Sequence, residues 1–106
     1  MDKAIRPILN DLRHRLDDLY GRQLHEVILY GSHSRDEAVD GSDIDVLVVL
    51  EGPVNGSDEI SRTIQDVSDL SLQYDVVLNC LFVSAGEFET GQSPLLLNIR
   101  REGVTL

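Results

Sequence analysis

The sequence predicts a small α/β domain, a mixed sheet of three or four strands flanked by helices. Three observations carry that reading. Ile44 to Leu50 is an unbroken run of β-branched and aliphatic residues after Asp45, dense enough for a central strand. Apolar residues recur at three- and four-residue steps in segments before and after it, which is the helix period. A chain of 106 residues has room for one core, so residues 1–106 are read as a single domain.

In chain order, residues 2 to about 20 form the first helix, with Ile5, Ile8, Leu9, Leu12, Leu16 and Leu19 on one face. Pro7 sits in its first turns, where proline is tolerated, and Gly21 supplies a stop. His25 to Tyr30 reads as a short buried strand ended by Gly31-Ser32. Residues 33–39 are expected to form one or two helical turns, and Asp40-Gly41-Ser42 a tight turn before the central strand. A loop over 52–57 opens into a helix capped at Ser57, with an apolar stripe of Ile60, Ile64, Val67 and Leu70. Tyr74 to Val83 is the third and longest strand. Ser84 to Gln92 reads as a polar loop, and Ser93-Pro94 starts a last helix over 94–101 that stops at Gly103.

Nineteen acidic residues face nine basic ones, a formal net charge of −10. Such a field repels nucleic-acid backbones and favours cations or a basic protein partner. Direct nucleic-acid binding is therefore not expected. No apolar run approaches the ~20 residues that span a bilayer, and the charged N-terminus lacks a signal core. The expected location is the cytoplasm, without membrane attachment. Cys80, the one cysteine, lies in an apolar stretch and reads as packing.

The chemistry concentrates in YGSHSRDEAVDGSDIDVLVVL, residues 30–50, which holds five carboxylates. Asp43 and Asp45 are two apart in a strand and so point to the same face. Like charges that close repel, so the pair needs solvent or a cation. Asp75, placed at the start of the third strand, could bring a third oxygen ligand to the same point. Carboxylates converging at strand ends suit Mg²⁺, and two such ions can clamp the oxygens of a phosphoryl transfer. Gly31 allows close approach of a phosphate to the backbone, the Ser32 hydroxyl can donate to it, and Arg35 could balance its charge. Arg35 could equally pair with Asp36, Asp40 or Asp43. Asn79, further along the face of Asp75, could support the ligands or merely be a polar residue near the sheet's end. His14, His25 and His33 have no metal spacing among themselves and read as surface or core histidines.

Gly31-Ser32, ten intervening residues and Asp43-x-Asp45 match the GSx10DxD signature of the nucleotidyltransferase superfamily that includes DNA polymerase beta. The fuller string GSxSRxxAxxxSDIDxLV resembles its smallest branch, the minimal nucleotidyltransferases, and the likeness runs over essentially the whole chain. The closing LLLNIRREGVTL is similar to that family's final helix and strand. The resemblance implies the nucleotidyltransferase fold, Mg²⁺ (two ions) on Asp43, Asp45 and Asp75, and nucleotide phosphates at Gly31, Ser32 and Arg35. It implies Asp75 as activator of the attacking hydroxyl. It further implies an antitoxin that transfers AMP from ATP to a tyrosine of a partner HEPN-domain toxin. Asp36 and Glu37 depart from the family pattern, which often has glycine after the signature arginine, and His33 stands where a basic residue is common. Those departures support an alternative of another class, an acidic antitoxin that neutralises its toxin by binding alone. In a chain this short, missing walls of the site would come from another chain, through self-association or a toxin complex.

Overall fold

The computed structural model describes residues 3–38 and 41–106. Helix α1 (Arg6–Tyr20) begins with proline in its first turn and buries Ile8, Leu9, Leu12, Leu16 and Tyr20. Its start is later than residue 2; residues 3–5 form a turn, Ile5 is the N-cap, and Met1 and Asp2 lie outside the described residues. After a 3-10 turn, Gly21–Gln23, strand β1 (Leu24–Tyr30) runs antiparallel to β2 (Ile44–Leu50). Helix α2 (Gly56–Tyr74) connects β2 to its parallel neighbour β3 (Leu78–Ser84). Two short helices, α3 (Ala85–Thr90) and α4 (Pro94–Glu102), lead to β4 (Val104–Thr105), which pairs with β1. The sheet order is β3-β2-β1-β4. The strand run from Ile44 is therefore central, as its composition requires, and the sheet is mixed with four strands.

Alternation along the strands feeds two cores. Val27, Leu29, Ile44, Val46, Val48, Leu50, Leu78 and Phe82 pack with α1 and Leu70 of α2. Ile28, Leu47 and Val49 face the other way, against Leu96 and Ile99 of α4. The second face is covered by the two short helices, and Asp43 and Asp45 belong to it by the period of two.

Four expectations about the elements need correction. The third strand starts at Leu78 rather than Tyr74, because α2 continues to Tyr74 and ends on Asp75 in a left-handed conformation (φ 53°). Residues 84–92 are not all loop: Ser84 caps α3 by accepting from the Glu87 backbone N–H. The α2 cap is Asn55, whose side chain accepts from the Asp58 N–H, not Ser57. Finally, Ile60 and Ile64 of the expected stripe are about half exposed (46% and 54%), while Glu59, Thr63 and Leu70 are buried. The helix can turn a glutamate inward because partners wait for it. Tyr20 donates a 2.7 Å hydrogen bond to Glu59 Oε1, Arg62 lies 3.2 Å from the same oxygen, and the Thr63 hydroxyl donates to the Glu59 carbonyl at 2.8 Å. A paired, hydrogen-bonded carboxylate tolerates burial that a lone one would not.

Two of these core groups resist ionisation. Desolvation pushes the Cys80 thiol up to about 12, and burial together with Glu59 raises the Tyr20 hydroxyl. In the unfolded chain they ionise near 9 and 10, so above those values the unfolded state has lost protons that the folded state keeps. Stability then falls as pH rises, by at most about 1.4 kcal/mol per pH unit per group. The urea midpoint is expected to drop between pH 9 and 11, less steeply in Cys80→Ala; a midpoint flat over that range would contradict it.

Candidate functional site

The site lies where β1 ends and β2 begins. Tyr30 pairs with Asp45 across the antiparallel ladder, so Gly31, the next residue, is carried past the Asp45 side chain. Gly31 has φ +74°, and a Cβ built there would stand 2.7 Å from Asp45 Oδ2. Glycine is required twice over, by the positive φ and by the close approach. From there the chain folds into successive turns rather than the expected helical turns. The Ser34 N–H and hydroxyl donate to the Gly31 carbonyl at 3.2 and 2.8 Å, and the Arg35 and Glu37 N–H groups donate to the Ser32 carbonyl at 3.3 and 3.0 Å. Asp36 sits at φ 55°, which breaks any continuing helix. Val39 and Asp40 lie outside the described residues.

His33 is a buried histidine and lies 3.3 Å through Nε2 from the Ser42 carbonyl. It ties the turn after Gly31 to the residue preceding the acid pair. Exposed Asp43 and half-buried Asp45 share one neighbour. Asn79 Nδ2 donates to Asp43 Oδ2 and to Asp45 Oδ1, both at 3.2 Å. The parallel register sets Asn79 directly beside Asp45. Burial, and then the Asp45 charge, push the Tyr30 hydroxyl up to about 12, so this ring stays a neutral wall of the site.

The structure brings Gly31, Asp43 and Asp45 together, with Ser32 following in the same turn. Arg35 is nearby but exposed and engaged, 3.1 Å from Glu37 and 3.4 Å from Glu102 of α4. Glu37 first, then Glu102, hold the guanidinium in its charged form, and Asp40 lies outside the described residues. Tyr30, Gly31, Ser34, Arg35, Leu95 and Asn98 line a cleft of about 210 Å³ beneath α4. Asp75 is not brought to the pair. It caps α2, three residues short of β3, and lines a different cavity of about 430 Å³ with Ile5, His33, Ser42 and Ile44. Among the described residues, no three His, Cys, Asp or Glu side chains gather closely enough to hold an ion. What the structure sets beside the two carboxylates is an amide, that of Asn79. The strand-like composition of the YDVV string does not reveal that α2 continues to Tyr74.

Two hard, anionic side chains with one oxygen each outside the Asn79 hydrogen bonds suit Mg²⁺, which binds through one or two carboxylates and completes its shell with water and phosphate oxygens. The donor set fits such an ion provided a substrate contributes the remaining ligands.

The sequence profile of the nucleotidyltransferase domain matches residues 9–101. The chain belongs to the nucleotidyltransferase domain family. It is 31% identical over 83 residues to a candidate protein adenylyltransferase of Methanocaldococcus jannaschii, covering 78% of this chain and 73% of that one. Among solved structures, a toxin–antitoxin crystal structure with AMP-PNP superposes with a TM-score of 0.65 at 20% identity, covering 91% of this chain and 69% of the other. A variant of the toxin–antitoxin MntA-HpeT gives 0.63 at 20% identity over 92% and 70%. A candidate nucleotidyltransferase from Sulfolobus solfataricus gives 0.60 at 19% identity over 97% and 82%. These likenesses establish the nucleotidyltransferase fold, and the family's chemistry is nucleotidyl transfer. No helix among the described residues is long and apolar enough to cross a membrane.

Proposed function

We propose that this nucleotidyltransferase is a Mg²⁺-dependent antitoxin that transfers AMP from ATP to a hydroxyl, that of a tyrosine, on a partner HEPN-domain toxin in the cytoplasm. The observation that carries the transfer is the convergence of Gly31, Asp43 and Asp45 at adjoining strand ends. The protein-acceptor part draws on the likeness to a candidate protein adenylyltransferase and to chains of toxin–antitoxin structures.

In this reading Mg²⁺, when bound, would supply neutralisation of the triphosphate charge, and this chain's residues do the positioning. Asp43 and Asp45 hold the metal side, while the Gly31–Ser32 backbone and hydroxyl take phosphate oxygens. Arg35, released from Glu37 or Glu102, balances the charge of the departing pyrophosphate. The acceptor oxygen forms its bond to the α-phosphorus as the bond to the bridging oxygen of pyrophosphate breaks. The proton of that hydroxyl leaves to solvent. Most of the acceleration comes from orientation and electrostatics.

The test is intact-mass spectrometry of the toxin after incubation with this chain, ATP and Mg²⁺. A mass increment of AMP on the toxin, assigned to tyrosine by peptide mapping, is expected. A toxin silenced without any increment would favour inhibition by binding alone.

A further inference from the structure

Asn79 is the β3 residue in register with Asp45, and it makes a 3.2 Å hydrogen bond to each acid of the pair. Ionised carboxylates only accept, so the amide must present its NH₂ group to them. That group has two hydrogens, one for each acid, and both are used. The consequences are geometric and electrostatic. One oxygen of Asp43 and one of Asp45 are fixed by the same atom, which sets the direction of the two that remain. A hydrogen-bond donor, which cannot ligate a cation, also occupies the place from which β3 could offer a third anionic ligand.

A hard divalent cation gives up water reluctantly and gains affinity with each charged ligand. Two carboxylates alone make a weak site, and nucleotide phosphates would supply what is missing. We infer that Asn79 is a positioning residue that makes cation binding conditional on the nucleotide. It aligns Asp43 and Asp45 and withholds the third charge, so the cation enters with the triphosphate and not before it. The inference rests on the nucleotidyltransferase reading of Asp43 and Asp45.

The experiment is calorimetric titration of the nucleotide-free protein with Mn²⁺, in parallel with titration by ATP in the presence of Mn²⁺. The natural chain is expected to bind Mn²⁺ weakly alone and to bind it readily with ATP. Asn79→Asp should bind Mn²⁺ alone at least about tenfold more tightly, because a third charged ligand joins the pair. That gain should vanish when Asp43→Asn and Asp45→Asn are added. Asn79→Ala, which frees the carboxylates without adding a ligand, should show no gain. Should the crowded acids of Asn79→Asp prevent folding, Asn79→His supplies a neutral ligand at the same register position, and a smaller gain is expected. No tightening in the folded ligand variant, or equal tightening in Asn79→Ala, overturns the inference while ATP binding leaves the transferase reading intact. Absence of Mn²⁺-dependent ATP binding in every variant overturns that reading and this inference with it.

Discussion

Replacing Asp43 and Asp45 together by asparagine should lower AMP transfer by about a thousandfold or more while leaving the fold at least as stable. Each substitution keeps shape and removes charge, so on the proposed reading what is lost is the anionic grip on the cation that would neutralise the triphosphate. Removing one preorganised electrostatic contact of this kind commonly costs about 10²–10³ in rate, and here both ligands go. The stability half of the expectation follows from the same charges. Two carboxylates two residues apart at the mouth of a buried strand repel each other, and neither has a cationic partner among the described residues. Sites kept for chemistry are commonly destabilising, so relieving the repulsion should leave the urea midpoint unchanged or raise it. Pyrophosphate release and urea unfolding on the same protein measure the two halves. A double variant that retains transfer would show that the acids are solvated strand ends.

Gly31→Ala should be nearly as damaging, through geometry rather than charge. The added methyl would lie 2.7 Å from Asp45 Oδ2, and the backbone at φ +74° would be strained for any residue with a side chain. Adopting that conformation costs about 1–2 kcal/mol. Asp45 cannot simply swing aside, since its other oxygen is held by Asn79 and its strand is zipped to both neighbours. The expected result is a loss of at least about a hundredfold in transfer, because displacement of a ligating group by ångströms is costly. A lowering of the thermal midpoint by a few degrees should accompany it. An active, fully stable Gly31→Ala would mean that the turn has another conformation when nucleotide is bound.

Much of this arrangement was legible in the residues. The run from Ile44 could only be a central strand, and the period of two then put Asp43 and Asp45 on one face. The signature spacing put Gly31 beside them before any pairing was known. What could not be read were facts set by tertiary contacts. Glu59 faces inward because Tyr20 and Arg62, distant or neighbouring in sequence, meet it there, which rotates Ile60 and Ile64 outward. Asp75 looked like the head of a strand because Tyr, Val and Leu surround it, yet α2 runs one turn further and leaves it as a left-handed cap. The β2–β3 register, which selects Asn79 as the neighbour of the pair, is a long-range choice that no local pattern encodes. Helical turns are expected over 33–39, and the positive φ of Asp36, which no local pattern encodes, decides otherwise.

The central position of β2 has a dynamic consequence. Its Val46 to Leu50 are wholly removed from solvent, and it is hydrogen-bonded on both sides. Segments of that kind open only when the whole domain does, whereas loops and short helices open locally and often. Asp45, inside β2, therefore shares the rigidity of that strand, and Asp43 directly precedes it. On the proposed reading, the strand that carries Asp45 is thus the part of the site least free to rearrange.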